Sequence, residues 1–190
     1  MNGRQLPAKA EVKIIRELDV SRIENLDEES ASSEDGLMLN HVYFDTRGWE
    51  AADVEMLLEE ERELLKDLEE AGWNTAEASE IIDFHFSDWS ELTGFDVGVG
   101  GAVLALSAAG ATPISSCNGG TIGIEHHSSS VPHILFAGSV MMESSAIHQA
   151  IEIADLGSVY NGEFGEIYAD DVLKFPVFAK ALIEALMGRD

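Results

Sequence analysis

The chain has 190 residues, of which 36 are acidic and 11 are lysine or arginine, and its formal net charge is -25 at neutral pH. A surface with this charge repels phosphate backbones and anionic lipid, so we expect no nucleic-acid partner and no membrane partner. The length suits a single domain, and a hydrophobic content of 45% is enough for an ordinary core.

The N-terminal part differs in composition from the rest. Residues 24–35 are rich in acids and contain no base, which is typical of a mobile linker. We therefore predict an N-terminal extension with an acidic linker at residues 1–36 and a single domain at residues 37–190. The opening residues lack a signal-type apolar run, and a single cysteine excludes an internal disulfide, so we expect a cytoplasmic protein.

The first elements of the domain are a strand and a long helix. Residues 37–44 have the alternation of a strand, and residues 51–71 have helical periodicity that ends before Gly72. The apolar face of this helix is formed by Val54, Leu57, Leu58, Leu64, Leu65 and Leu68. We expect its acids to lie on the opposite, solvent-exposed face, which includes Glu59, Glu60, Glu63, Asp67 and Glu70.

Helices and strands alternate along the remaining chain. Thr75 is placed to cap a short second helix, and we expect the aromatic residues that follow it, Phe84, Phe86 and Trp89, to lie mostly in the core. Asp96 is predicted to cap a helix that runs to Gly110 and is buried nearly all round, because it carries no charge. We further predict strands at residues 112–116 and 131–137, a helix at 143–156, a turn at Asn161-Gly162, and a helix at 175–187 with Pro176 in its first turn. The fold class is therefore α/β or α+β, with a small sheet packed by amphipathic helices.

The main candidate site is the loop at residues 115–120, around the only cysteine. Cys117 is followed by Asn-Gly-Gly, where the turning backbone can direct N–H groups at a thiolate or an oxyanion. Cys117 is the candidate nucleophile, with His126, His127 or His133 as its base. The predicted ligand-binding residues are Asp96, Ser115, Ser116, Asn118, Gly119 and Gly120. The alternatives are that Cys117 is an inert buried residue and that Asp96 only caps a helix.

The same histidines raise the question of a metal. A mixed zinc ligand set would consist of Cys117, one histidine of the adjacent pair His126 and His127, His133, and an acid such as Glu125 or Asp96. The spacing matches no standard zinc motif, and two solvent-exposed histidines in a serine-rich loop are an alternative. The metal and any cofactor therefore stay unassigned.

The distribution of basic residues narrows the possible reactions. No lysine or arginine occurs between Lys66 and Lys174. Kinases and nucleotidyl transferases normally bring such a side chain to the phosphate, so we do not expect these activities. The glycines of residues 97–101 lack the preceding strand and the spacing of a dinucleotide-binding loop, and we interpret them as packing positions or as exposed N–H groups at a helix start.

One block of about forty residues carries a resemblance. It consists of Asp96-Val-Gly-Val, Ala105-Leu-Ser-Ala-Ala-Gly, Ser115-Ser-Cys-Asn-Gly-Gly, His126-His127, Pro132 and Phe136. This block resembles a family of uncharacterised bacterial proteins. The resemblance implies no substrate, cofactor or activity.

Two hypotheses on function follow. In the first, the protein binds a neutral or cationic small molecule at residues 115–120, or is a Cys/His-dependent hydrolase or transferase acting on it. In the second, it is an acidic protein-binding module, such as an immunity-type inhibitor of a basic toxin or nuclease. The first needs a concave loop around Cys117, and the second needs a broad acidic face on the helix at residues 51–71.

Overall fold

A computed structural model describes residues 7–26, 46, 48–73, 75–86, 90–122, 129–139 and 141–188. Within these ranges the protein contains five α-helices and one four-stranded antiparallel sheet, which confirms the predicted mixed α/β class. The predicted strand at residues 37–44 lies outside the described residues. No helix in the described part of the chain combines the length and the apolar character that a membrane crossing requires.

The sheet is a single layer with the strand order β1-β2-β4-β3. The strands are β1 (Thr112–Cys117), β2 (His133–Ala137), β3 (Gly157–Tyr160) and β4 (Gly165–Tyr168), and every neighbouring pair is antiparallel. The predicted turn at Asn161-Gly162 joins β3 to β4, and the Asn161 side chain accepts the N–H groups of Glu163 and Phe164 there. An irregularity between Pro113 and Ser115 shifts the register of β1 against β2.

The first helix, α1 (Ala51–Ala71), has the predicted bounds, and it ends where Gly72 adopts a left-handed conformation with φ 82°. Its core positions include the predicted Val54, Leu57, Leu64 and Leu68. The expectation that its acids all lie on the solvent side is wrong for Glu61, which is buried among these residues. The cause is the close approach of a neighbouring helix start, described below.

The second helix, α2 (Ala76–His85), is capped as predicted, because the Thr75 hydroxyl accepts the Ala78 N–H. The aromatic residues that follow are not a core cluster as a whole. Phe84 is 76% exposed, so its prediction as a core residue is wrong, whereas Phe86 is partly buried against the core. Trp89 lies outside the described residues. In this short helix Ala78 is the buried residue, and Phe84 lies near its exposed C-terminal end.

The third helix, α3 (Gly100–Ala108), is the centre of the molecule and is buried nearly all round, as predicted. It packs against α1, against β1 and against the last helix, α5 (Lys174–Met187). The predicted cap at Asp96 is wrong: the helix begins at Gly100, and its N-cap residue is Val99 without a side-chain cap. The Asp96 carboxylate instead accepts a hydrogen bond from a distant part of the chain, Asn118.

The remaining two helices pack against each other and extend the helical part of the core. The fourth helix, α4 (Ser144–Ile153), packs against α5, whose first turn contains Pro176 as predicted. The largest side chains of this core are fully buried and come from β2 and α5: Phe136, Phe175 and Phe178.

Part of the N-terminal extension lies against the outer strand β3. The Glu17 N–H donates to the Ser158 carbonyl at 2.8 Å, and the Ser158 N–H donates to the Ile15 carbonyl at 2.7 Å. The Tyr168 hydroxyl accepts the Ile15 N–H at 3.0 Å and donates to the Lys13 carbonyl at 3.1 Å. Residues 12–18 are therefore extended rather than helical.

Candidate functional site

Cys117 is the last residue of β1, and the strand register places it opposite His133, the first residue of β2. Directly opposite residues of an antiparallel pair project from the same face of the sheet, so the two side chains share one face. The Cys117 side chain is nevertheless buried, with 5% of the residue exposed. The sheet thus brings the cysteine and one of the three candidate histidines together.

The surroundings of the Cys117 thiol favour its neutral form. Burial raises the pKa of this thiol, and the nearby Asp96 carboxylate raises it further. The N–H groups of Gly119 and Ser129 act in the opposite direction, and the Gly119 nitrogen lies 3.3 Å from Sγ. Because the thiolate is the nucleophilic species, this environment does not activate Cys117 at neutral pH.

Asn118 fixes the loop through both ends of its side-chain amide. Its Nδ2 group donates to the Val97 carbonyl at 3.2 Å and to the Ile122 carbonyl at 3.1 Å. Its Oδ1 atom accepts the Gly120 N–H at 2.9 Å, and the residue is only 1% exposed. Asn118 therefore orders the turn and holds it against the start of the α3 segment.

The other predicted ligand-binding residues have varied positions. Ser115 is exposed and Ser116 is half-buried, on the strand before the loop. Gly119 has φ 72°, and a Cβ atom there would lie 2.8 Å from the ring of Pro132, so the turn requires glycine. Gly120 is exposed with φ 66°. Asp96 is half-buried and accepts the Asn118 N–H at 3.0 Å, which places its carboxylate beside the Cys117 loop.

The histidines of the predicted site are only partly described. The His133 ring is half-buried, and its Nδ1 atom lies 2.9 Å from the Val131 carbonyl. His126, His127 and Glu125 lie outside the described residues. Among the residues that are described, no group of three or more His, Cys, Asp or Glu side chains is arranged to hold a metal ion.

Glu61 of α1 is a further candidate residue, and it was not predicted from the sequence. Its Oε1 atom accepts the Gly101 N–H at 3.3 Å, and the residue is 3% exposed. Burial raises the pKa of the Glu61 carboxyl to about 7, although the N–H groups of Gly101, Gly100 and Gly98 favour its charged form. The spacing of the sequence indicates that Glu61 is buried, because it lies four residues after Leu57 and three before Leu64, at a core position of the helix.

Glu61 and the Cys117 loop are joined by one short segment. We call residues 97–101 the glycine turn. On one side its N–H groups face the Glu61 carboxyl, and on the other side its Val97 carbonyl is held by Asn118. Gly98 has φ 86°, a conformation that glycine adopts without strain. The turn is therefore a structural connection between α1 and the end of β1.

Comparison with known proteins gives no match to any family model, curated protein or solved structure at a significant level. The chemistry of this site must therefore be inferred from its own residues.

Proposed function

We propose that this protein is an acidic binding module that recognises a basic protein through the outer side of α1. The observation that carries this proposal is the exposed methionine Met56, which is 71% exposed in the middle of a row of acids. At about 100° per residue, six acids project within about 60° of the direction of Met56. They form what we call the acidic face: Asp53, Glu59, Glu60, Glu63, Asp67 and Glu70.

The charge of α1 is almost uncompensated. The helix contains nine acids and two bases. Arg62 pairs with Glu59, and Asp67 pairs with His85 of α2 at 3.0 Å, while Glu63 and Glu70 are exposed. A basic partner would be attracted by this field, and Met56 would provide an apolar contact for the aliphatic parts of its lysine or arginine side chains.

The state of Cys117 also supports this proposal over a catalytic one. The thiol is buried and kept neutral, and the Asn118 amide is occupied by hydrogen bonds within the protein. If the protein is a binding module, these contacts stabilise the fold and the loop does not bind a substrate.

A test uses two synthetic peptides of equal charge, one an amphipathic helix of lysine and leucine and the other with serine in place of leucine. We expect the lysine-leucine peptide to bind more tightly, and Met56→Ser to weaken that binding about tenfold, the effect of losing one buried apolar anchor. Calorimetric titration measures both. Met141→Ser is the matched control, because Met141 is 76% exposed outside α1. Equal losses for the two variants would contradict the proposal.

A second candidate function is a small-ligand site or a Cys/His-dependent hydrolase or transferase at residues 115–120. The position of Cys117 opposite His133 favours it, since the two share a face of the sheet. In this candidate His133 takes the thiol proton, and the Cys117 sulfur bonds to an acyl or amide carbon as its carbonyl becomes an oxyanion held by backbone N–H groups of the loop. The carbonyl re-forms as the bond to the amine or alcohol breaks, the leaving group takes the proton from His133, and water or an acceptor then releases the acyl group from the sulfur. Cys117→Ser separates the two candidates, because it abolishes activity in the second and leaves binding unchanged in the first.

A further inference from the structure

An exposed aromatic side chain lies at the border of the acidic face of α1. Phe84, in the last turn of α2, is 76% exposed. Its ring meets the imidazole of His85 edge to face, with the ring centroids 5.6 Å apart. The Nε2 atom of His85 in turn lies 3.0 Å from Oδ2 of Asp67, a member of the acidic face. These two contacts place the ring of Phe84 next to the carboxylates of α1.

The ring also has acids on its own helix. At about 100° per residue, Glu77 and Glu80 project within about 40° of the direction of Phe84. Both are exposed, and so is Asp83, which directly precedes the ring. Helix α2 contains no lysine or arginine, so the charge on this side of it is negative.

An open aromatic face among carboxylates suits a guanidinium group. Because Phe84 is 76% exposed, at least one face of its ring is accessible to a partner. That face carries partial negative charge and attracts a cation. The guanidinium of arginine is planar and weakly hydrated, so it can stack on the ring while its N–H groups reach a carboxylate. The ammonium of lysine is compact and strongly hydrated, and it gains less from the ring.

The same contact already occurs inside the protein. The guanidinium carbon of Arg22 lies 4.4 Å from the centroid of the Tyr160 ring. Other occupants of the Phe84 surface fit less well. A second copy of this chain would bring two molecules of net charge -25 together, and a purely apolar partner would bury carboxylates without compensation.

We propose that Phe84 determines the specificity of the acidic face: its ring stacks on an arginine side chain of the basic partner, so that the protein prefers arginine to lysine. This inference rests on the proposed function, because it concerns the same partner. Stacking at an exposed ring strengthens binding about two- to fivefold.

The test compares the lysine-leucine peptide with an arginine-leucine peptide of the same length and the same leucine positions. Arginine and lysine have similar helix propensities, so the two peptides differ mainly in side-chain contacts. Calorimetric titration gives the Kd of each, and we define the preference as the lysine-peptide Kd divided by the arginine-peptide Kd. Carboxylates alone also favour arginine, so the readout is the change in this preference when Phe84 is replaced.

We expect Phe84→Leu, which keeps an apolar side chain but removes the ring, to lower the preference about threefold. Phe84→Tyr should retain the preference, because it keeps an aromatic face. The high exposure of Phe84 means that neither substitution disturbs the core. Phe164→Leu is the matched control, since Phe164 is a half-buried phenylalanine in the turn between β3 and β4, and it should leave the preference unchanged.

The possible results separate this inference from the proposed function. A preference that does not change with Phe84→Leu, that falls equally with Phe164→Leu, or that is lost in Phe84→Tyr would overturn the role of Phe84. In those cases the proposed function still stands if Met56→Ser weakens the binding of both peptides. If neither peptide binds the native protein, the proposed function and this inference are both wrong.

Discussion

Replacement of Glu61 by glutamine is expected to stabilise the protein increasingly as the pH rises. Burial raises the pKa of the folded-state carboxyl from an ordinary 4.5 to about 7. Below the pKa of this carboxyl in the unfolded chain, Glu61 is protonated in both states and does not change the free energy of unfolding. Between this pKa and the folded-state pKa of about 7, the unfolded chain is ionised while the folded protein keeps the proton, so the free energy of unfolding falls as the pH rises. Above the folded-state pKa, Glu61 is ionised in both states and the loss of stability is complete. The difference of two to three pH units corresponds to about 3 kcal/mol.

Urea denaturation at a series of pH values measures this effect. The free energy of unfolding of Glu61→Gln relative to the native protein should increase by about 3 kcal/mol between about pH 4.5 and pH 8 and level off above that range. The half-buried Glu60 provides the control, because Glu60→Gln should show little change of this kind. If the difference between Glu61→Gln and the native protein is the same at every pH, Glu61 is not a buried ionisable group.

Replacement of Gly101 by alanine is expected to destabilise the protein strongly. Within a helix, alanine is normally about 1 kcal/mol better than glycine. Here the added Cβ atom would lie 2.5 Å from Glu61 Oε2 and 2.5 Å from a methyl group of Leu58. Such overpacking costs about 3 kcal/mol, because the carboxyl is enclosed on all sides and α1 must move away.

A double-mutant cycle identifies the source of that cost. In a Glu61→Ala background the carboxyl is absent and only the flexible end of Leu58 must adjust, so Gly101→Ala should cost much less. The coupling between the two positions should be at least about 1 kcal/mol in urea denaturation. Additive effects of the two substitutions would show that Glu61 does not contact the start of α3.

The bounds of α1 could be predicted from the sequence because they depend on local signals. The apolar residues recur at helical spacing, and Gly72 can adopt the left-handed conformation that ends the helix. The burial of Glu61 could not be predicted with the same certainty. Because α1 contains nine acids, its composition indicates a solvent-exposed helix and does not distinguish Glu61 from the others. Glu61 is buried because the glycines at the start of α3 allow that backbone to come close to α1.

In the candidate site, too, the residues could be predicted from the sequence, but their contacts could not. The sequence singled out Asp96, Cys117 and Asn118, and the fold brings these three together at the end of β1. Their contacts depend on tertiary structure. Asp96 has the side chain of a helix cap, but the Asn118 N–H, 22 residues away in the chain, occupies its carboxylate instead. The neutral state of the Cys117 thiol follows from burial and from Asp96, neither of which can be deduced from the spacing.

Binding of a basic partner through the acidic face of α1 is tested most directly by the association rate of the lysine-leucine peptide at increasing salt. Reversing the charges of Glu60 and Glu63 to lysine should slow association and flatten its salt dependence. The equal charge change at the exposed Glu152 and Glu163 should have a much smaller effect, and Cys117→Ser should have none. Equal slowing by both charge reversals would contradict a defined acidic face, and loss of binding with Cys117→Ser would move the site to the Cys117 loop.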